Sequence, residues 1–109
     1  MSNKAKKSAP QINRLVVIGL GLIGSSLAIA ARQRGIAQRV VGISRRSSTL
    51  ELALEAGVID EAKESLDDVA AELGRGDVVV IGVPTLTVSV VLKDCCRLLE
   101  NEVTVTDVA

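Results

Sequence analysis

Residues 15–35 decide the fold and read Leu-Val-Val-Ile-Gly-Leu-Gly-Leu-Ile-Gly-Ser-Ser-Leu-Ala-Ile-Ala-Ala-Arg-Gln-Arg-Gly. The stretch opens with four aliphatic residues, a composition typical of a strand buried on both faces. The pattern G-x-G-x-x-G follows at Gly19, Gly21 and Gly24, and alanine-rich sequence with helical spacing comes next. The pattern alone is weak evidence, but its place between a strand and a helix makes it a usable hypothesis of a phosphate-binding turn.

Each glycine of the turn has a physical task. Gly19 lets the chain reverse tightly, Gly21 has no Cβ to block a diphosphate, and Gly24 lets the helix lie close to the strand. The first helical residues, Leu22 and Ile23, would present backbone N–H groups and the positive end of the helix dipole to the ligand. The alternative is a tight turn of the same shape that binds nothing.

Composition indicates one domain with an aliphatic core. The chain has 109 residues, 48% of them hydrophobic, and no Phe, Tyr or Trp. Such a core is typical of parallel sheets covered by helices. No apolar run approaches the ~20 residues of a membrane span, so we expect no membrane partner. Residues 1–11 are expected to be a flexible basic tail, and residues 12–109 the folded domain.

The charge distribution is lopsided although the net charge is zero. Residues 1–50 contain nine Lys or Arg and no acid, whereas residues 51–109 contain all 13 acids and four bases. The halves therefore carry +9 and −9 (4 − 13). This asymmetry favours an anionic ligand near the first half. The alternative is that the bases belong to the tail and to solvated helix ends.

The cysteines argue against a metal or disulfide site. Cys95 and Cys96 are adjacent, and the chain has no histidine. This spacing fits neither a metal site nor C-x-x-C, and it predicts a reducing, cytoplasmic location.

Five strands alternating with four helices are predicted. The predicted strands cover 12–18, 39–43, a short segment within 58–64, 77–83 and 103–106. The predicted helices cover 22–34, ending at Gly35; a helix from a capping box at Ser48 to Gly57; one from a capping box at Ser65 to Gly74; and 86–99. This alternation predicts a Rossmann-type α/β fold, a parallel sheet in the order 3-2-1-4-5 with helices on both faces.

In this topology the ligand lies across the carboxyl ends of strands 1 and 4. The residues expected on that rim beside the glycine turn are Ser44, Arg45, Arg46, Ser47, Val83, Pro84 and Thr85.

The end of the second strand bears on which nucleotide is bound. NAD-binding members of this fold carry an acid about 20 residues beyond the glycines, which binds the adenosine ribose. Here Ser44 stands at that place, Arg45 and Arg46 follow, and no acid occurs before Glu51. Guanidinium and hydroxyl groups suit a 2′-phosphate, which predicts NADP over NAD. The alternative is NAD beside two solvated arginines.

Four segments carry a resemblance to a known family. They are the residues 16–28 around the glycine turn, Glu-Ala-Gly-Val-Ile-Asp-Glu at 55–61, Val-Pro at 83–84 and Val-Thr-Asp-Val at 105–108. In order and spacing the chain resembles the N-terminal nucleotide-binding domain of the prephenate/arogenate dehydrogenase family.

The resemblance implies oxidative decarboxylation of a cyclohexadienyl acid in tyrosine biosynthesis, with hydride transfer to the nicotinamide. It also implies that Ser44 and Arg45 meet the adenosine ribose and that Val83 and Pro84 line the nicotinamide side. A C-terminal helical domain of the family dimerises and supplies much of the substrate site. That domain and the catalytic histidine have no counterpart in these residues, so no catalytic residue is assigned and no turnover is expected from this chain alone.

Other interpretations stay open from the sequence. Another NADP-dependent Rossmann reductase would share the glycine turn and the arginine pair. A nucleotide-sensing regulatory domain would share the turn but usually keeps an acid where Ser44 stands. A nucleic-acid partner is not expected, because there is no aromatic residue on which a base could stack. Asp107 is the one acid expected at the correct sheet end, as a helix cap or a general base.

Overall fold

The computed structural model describes residues 12–82 and 102–107. Within them, the elements in chain order are β1 (Ile12–Ile18), α1 (Leu22–Gln33), β2 (Ala37–Ile43), α2 (Ser47–Glu55), β3 (Glu61–Lys63), α3 (Asp67–Ala70), β4 (Val78–Ile81) and β5 (Thr104–Asp107). The predicted basic tail, the predicted helix over 86–99 and the rim residues Val83, Pro84 and Thr85 lie outside the described residues.

The strands form one parallel sheet in the order β3-β2-β1-β4-β5, which confirms the predicted topology. Ile18 of β1 pairs with Ile43 on one side and with Ile81 on the other. Lys63 and Asp107 complete the same row at the two edges of the sheet. The carboxyl ends of all five strands are therefore level.

The sheet is buried on both faces because successive residues of β1 point to opposite sides. Val16 and Ile18 belong to an apolar cluster that includes α3 and the turn after it. Leu15 and Val17 belong to a second cluster, which α1 and α2 cover with small and aliphatic side chains. The predicted aliphatic core with helices on both faces is confirmed.

Helix α1 ends as predicted. Gly35 has φ +65°, and the N–H of Ile36 donates a hydrogen bond to the carbonyl oxygen of Ala31 at 2.9 Å. This 6→1 bond is typical of a helix closed by a left-handed glycine.

The prediction of a capping box at Ser48 was wrong. The N-cap of α2 is Arg46, two residues before Ser48, and it makes no side-chain capping bond. Instead the hydroxyl of Ser44, before the helix, accepts a hydrogen bond from the Arg46 N–H at 3.1 Å. A serine can satisfy a neighbouring amide from outside a helix, and spacing alone does not distinguish the two uses.

The third predicted helix is shorter than expected. The hydroxyl of Ser65 accepts a hydrogen bond from the Asp67 N–H at 3.2 Å, near the start of α3. After Ala70, however, the N–H groups of Glu72 and Leu73 donate three residues back, the tighter pattern that often ends a helix.

Strand β4 begins after Asp77 rather than at it. The buried Asp77 carboxylate accepts the N–H groups of Arg14 at 3.0 Å and Gly74 at 2.9 Å. Its side chain therefore fixes the turn before the strand, a use that the hydrophobic pattern did not indicate. Strand β2 starts two residues earlier than predicted, because Ala37 pairs with Ile12 of β1. Strand β5 is shifted by one residue toward the C-terminus, and Asp107 at its end pairs with Ile81 of β4.

In the parts of the chain that the structure describes, no helix has the length and apolar character needed to cross a bilayer.

Candidate functional site

The level strand ends form a rim that brings three separated segments together. Gly19 follows β1, Ser44 follows β2 and Gly82 follows β4. The N–H of Gly19 donates a hydrogen bond to the carbonyl oxygen of Ile43, the last residue of β2, at 2.8 Å. The N–H of Gly82 donates to the carbonyl oxygen of Ile18, the last residue of β1, also at 2.8 Å. The N–H of Ser44 donates to the last carbonyl oxygen of β3 at 3.2 Å. The sequence predicted the first two segments here but did not single out Gly82.

The glycine turn is as tight as its pattern predicts. Gly19 has φ +92°, a conformation that side-chain-bearing residues rarely adopt. A Cβ at Gly24 would lie 2.2 Å from the carbonyl oxygen of Gly19 and 3.2 Å from Cγ1 of Val17. Helix α1 therefore touches both the turn and β1 at a place where no side chain fits.

Gly21 differs from the other two glycines. It is exposed, its φ of −79° is open to any residue, and a Cβ built there would meet nothing within 4 Å. Neither packing nor backbone strain within the described residues therefore requires glycine at this position. The absence of a side chain at Gly21 leaves open space beside the N-terminus of α1.

The N-terminus of α1 is uncompensated by the described residues. Gly21 is the N-cap and provides no side-chain hydrogen bond, and the first turn contains no acid. The first N–H groups of any helix, here including those of Leu22 and Ile23, lack acceptors inside the helix. Together with the helix dipole, they make a site suited to a phosphate group.

The second predicted group of site residues lies at the end of β2. Arg45, Arg46 and Ser47 are exposed and lead into α2, and Ser44 is half-buried. Neither guanidinium group makes an ion pair or side-chain hydrogen bond with another described residue. The hydroxyl of Ser44 holds the backbone of Arg46, a role that its position in the sequence did not indicate.

Three of the other arginines of the basic first half make ion pairs within the fold. Each pairs with an acid of the second half: Arg14 with Glu72, Arg32 with Asp60, and Arg39 with Glu61. Part of the charge asymmetry is therefore neutralised by ion pairs within the fold. The arginines that bear on an anionic ligand are Arg45 and Arg46 at the rim.

Among the described residues, the side chain with a displaced pKa is that of Asp60, which lies away from the rim, just before β3. Partial burial raises the pKa of the Asp60 carboxyl group, but hydrogen bonds from Arg32 and the Val40 N–H, with the charges of Arg32 and Arg39, outweigh it. The net effect is a pKa below the ordinary value. This carboxylate ties α1 and β2 to the segment before β3, and we assign it a structural role.

The other expected contributors are only partly within the described residues. Val83, Pro84 and Thr85 follow Gly82 directly but are not described. Asp107 ends β5 in the row of Ile81, at the carboxyl end of the sheet, which is the end where the sequence placed it.

A parallel sheet in this order, with a three-glycine turn after β1 at the level strand ends, defines the class of Rossmann-type nucleotide-binding domains. Within this class, residues 27–109 match the family described as "Prephenate dehydrogenase, nucleotide-binding domain". The chain belongs to this family, which confirms the resemblance found in the sequence.

Individual relatives agree with the family assignment. Prephenate dehydrogenase from Bacillus subtilis (strain 168) is 32% identical over 95 residues, which are 86% of this chain and 25% of that protein. The crystal structure of prephenate dehydrogenase from A. aeolicus with hydroxyphenyl propionate and NAD+ has a TM-score of 0.79 at 25% identity, covering 92% of this chain and 34% of that one. A second structure of the Aquifex aeolicus enzyme has a TM-score of 0.75 at 27% identity, covering 85% and 33%. The chain thus spans between a quarter and about a third of these relatives.

Proposed function

We propose that residues 12–109 are the nucleotide-binding domain of a prephenate or arogenate dehydrogenase, and that they bind a nicotinamide dinucleotide along the rim. The observation that carries the proposal is the N-terminus of α1, which has no side-chain cap, no acid in its first turn and open space at Gly21. The A. aeolicus relative was solved in complex with NAD+, which supports a ligand of this class.

The turn would hold the diphosphate through main-chain groups. The backbone N–H groups of Gly21, Leu22, Ile23 and Gly24 would donate to it, with Gly24 keeping α1 against β1. When bound, the nicotinamide ring supplies the acceptor for a hydride. We place that ring beside Gly82 and the segment that follows it, Val83, Pro84 and Thr85.

We further propose NADP as the preferred cofactor. The guanidinium groups of Arg45 and Arg46 make no ion pair with another described residue. Both residues follow Ser44, which stands where an acid would bind the ribose of NAD. Ser44 and Ser47 add hydroxyl groups to this loop. A guanidinium group can donate bidentate hydrogen bonds to a phosphate, which favours a cofactor with a 2′-phosphate. NAD is the second candidate, because a relative is solved with NAD+.

Titration of NAD and NADP by calorimetry tests both proposals. We expect the chain to bind both nucleotides, and NADP more tightly. Arg45→Ala should weaken NADP binding by about 10- to 100-fold, because a hydrogen bond to a charged group contributes about 1.5–3 kcal/mol. NAD binding should change little. Arg34→Ala is the matched control, an exposed arginine at the opposite end of α1. Unchanged NADP affinity in both Arg45→Ala and Arg46→Ala would remove the NADP preference, and failure to bind either nucleotide would remove the binding proposal.

The activity we propose for the intact enzyme is oxidative decarboxylation of a cyclohexadienyl acid in tyrosine biosynthesis, in the cytoplasm. Its substrate site and homodimer interface would come from a helical domain outside these residues. Another Rossmann reductase acting on a small hydroxy acid or imine is the competing activity. Oxidation of prephenate or arogenate by the intact protein decides between them.

A further inference from the structure

Leu20 connects the glycine turn to the sheet through its side chain. It lies between Gly19 and Gly21, is half-buried, and packs against the apolar cluster under α1 and α2. A Cβ built on Gly42 of β2 would lie 2.9 Å from Cδ1 of Leu20. The same Cβ would lie 2.9 Å from Cδ1 and Cγ2 of Ile59. Leu20 and Ile59 thus together occupy the space that a side chain at position 42 would take.

The glycine in β2 has a packing reason rather than a conformational one. Gly42 is paired on both sides, with Val17 of β1 and Ala62 of β3, and its φ is not in the left-handed region. Glycine inside a strand weakens it and often marks a close approach by another group. Here the approaching groups are the side chains of Leu20 and Ile59, which come equally close.

We propose that Leu20, seated on Gly42 beside Ile59, is a positioning residue that fixes the glycine turn for the diphosphate. This rests on the proposed nucleotide binding by that turn. The backbone of Leu20 is held too, because its carbonyl oxygen accepts a hydrogen bond from Oγ of Ser25 at 3.1 Å. Leu20 is thus held by its side chain against β2 and by its backbone against α1. Ile59, from the Gly-Val-Ile-Asp segment, shares the space over Gly42 with this side chain.

A positioning role differs measurably from ordinary core packing. Loss of a core contact lowers the free energy of unfolding wherever it occurs, whereas a displaced turn lowers nucleotide affinity in molecules that are still folded. Misplacement by about 1 Å can cost on the order of 100-fold in function, so even a partial shift of the N–H groups is detectable.

The test compares Leu20→Ala with Leu73→Ala, a buried leucine in the cluster on the opposite face. Dissociation constants for NADP and NAD are measured below the unfolding transition, and stability by urea unfolding. We expect Leu20→Ala to weaken the binding of both nucleotides by about tenfold or more. Leu73→Ala should lose more stability yet keep both dissociation constants within about twofold, because distant sites act independently.

A double-mutant cycle isolates the contact itself. Gly42→Ala should weaken nucleotide binding because the new methyl group displaces Leu20. In the Leu20→Ala background the same substitution should weaken binding by a smaller factor, because the clash with Leu20 is gone and only the clash with Cδ1 and Cγ2 of Ile59 remains. An undiminished effect of Gly42→Ala without Leu20 would overturn the proposal. If Gly42→Ala does not fold, the comparison of Leu20→Ala with Leu73→Ala decides alone.

Failure of this inference is distinguishable from failure of the proposed function. If the unsubstituted chain binds nucleotide and Leu20→Ala binds it equally well, Leu20 does not position the turn and the binding proposal stands. If the unsubstituted chain binds neither NAD nor NADP, the proposed function falls and this inference falls with it.

Discussion

At Gly24 one missing methyl group lets the first helix meet the turn that precedes it. A Cβ there would lie 2.2 Å from a backbone oxygen, which cannot swing away as a side chain could. We expect Gly24→Ala to lower the free energy of unfolding by about 1–3 kcal/mol or more, the cost of overpacking a close contact. Urea unfolding measures this loss, and stability equal to that of the unsubstituted chain would contradict the packing role.

Gly21→Ala is the matched control and separates packing from binding. A methyl group at Gly21 would meet nothing within 4 Å, so the loss of stability should stay below about 1 kcal/mol. Nucleotide affinity should nevertheless fall, because the methyl group enters the space where we place the diphosphate. Full affinity in Gly21→Ala would show that the ligand does not approach there.

At the scale of elements, Asp60 joins α1, β2 and the segment before β3. Its hydrogen bonds from Arg32 and the Val40 N–H strongly favour the charged carboxylate. The arrangement of these three elements therefore depends on a polar contact at the edge of the sheet as well as on the apolar core.

The lowered pKa of Asp60 makes this contribution depend on pH. A group whose pKa is lower in the folded state contributes stability that is fully present above its unfolded-state pKa, ordinarily 3.8, and is lost as the pH falls through the folded-state pKa. Asp60→Asn should therefore be less stable than the unsubstituted chain at neutral pH, and the difference should shrink below about pH 4.

Urea unfolding between pH 7 and pH 3 measures the difference. Arg32→Gln removes the charged side-chain donor, so in that background the pH-dependent part of the Asp60→Asn effect should be smaller. A stability difference that does not change with pH would contradict the electrostatic role of Asp60.

The sequence predicted the elements whose signals are local. Strand β1, the glycine turn and the end of α1 at Gly35 follow from composition and from glycines at fixed offsets. The predicted cap at Ser48 was wrong because α2 begins at Ser47, which places Ser48 inside the first turn. The contact of Leu20 with Gly42 and Ile59 could not be predicted, because it exists only once β2 and the turn are packed together.

At the scale of the whole molecule, binding and chemistry are expected to separate. We predict that this chain binds nucleotide but forms no reduced cofactor with prephenate or arogenate. Hydride transfer needs a second surface to exclude water and orient the donor carbon, and the chain has no histidine and covers 34% of the A. aeolicus enzyme. Absorbance of reduced cofactor measures turnover, with binding verified in the same sample. Substrate-dependent reduction by these residues would refute the prediction.

The strand order also has a consequence for synthesis. The middle strand of the sheet is the first of the five to leave the ribosome, and its neighbour β2 follows after one helix. Its other flank is completed only by β4, and the turn before β4 is tied to β1 by the hydrogen bond from the Arg14 N–H to Asp77, across 63 residues. Until that segment emerges, β1 of the nascent polypeptide has an aliphatic edge with unpaired amides, the kind of surface that favours association between chains.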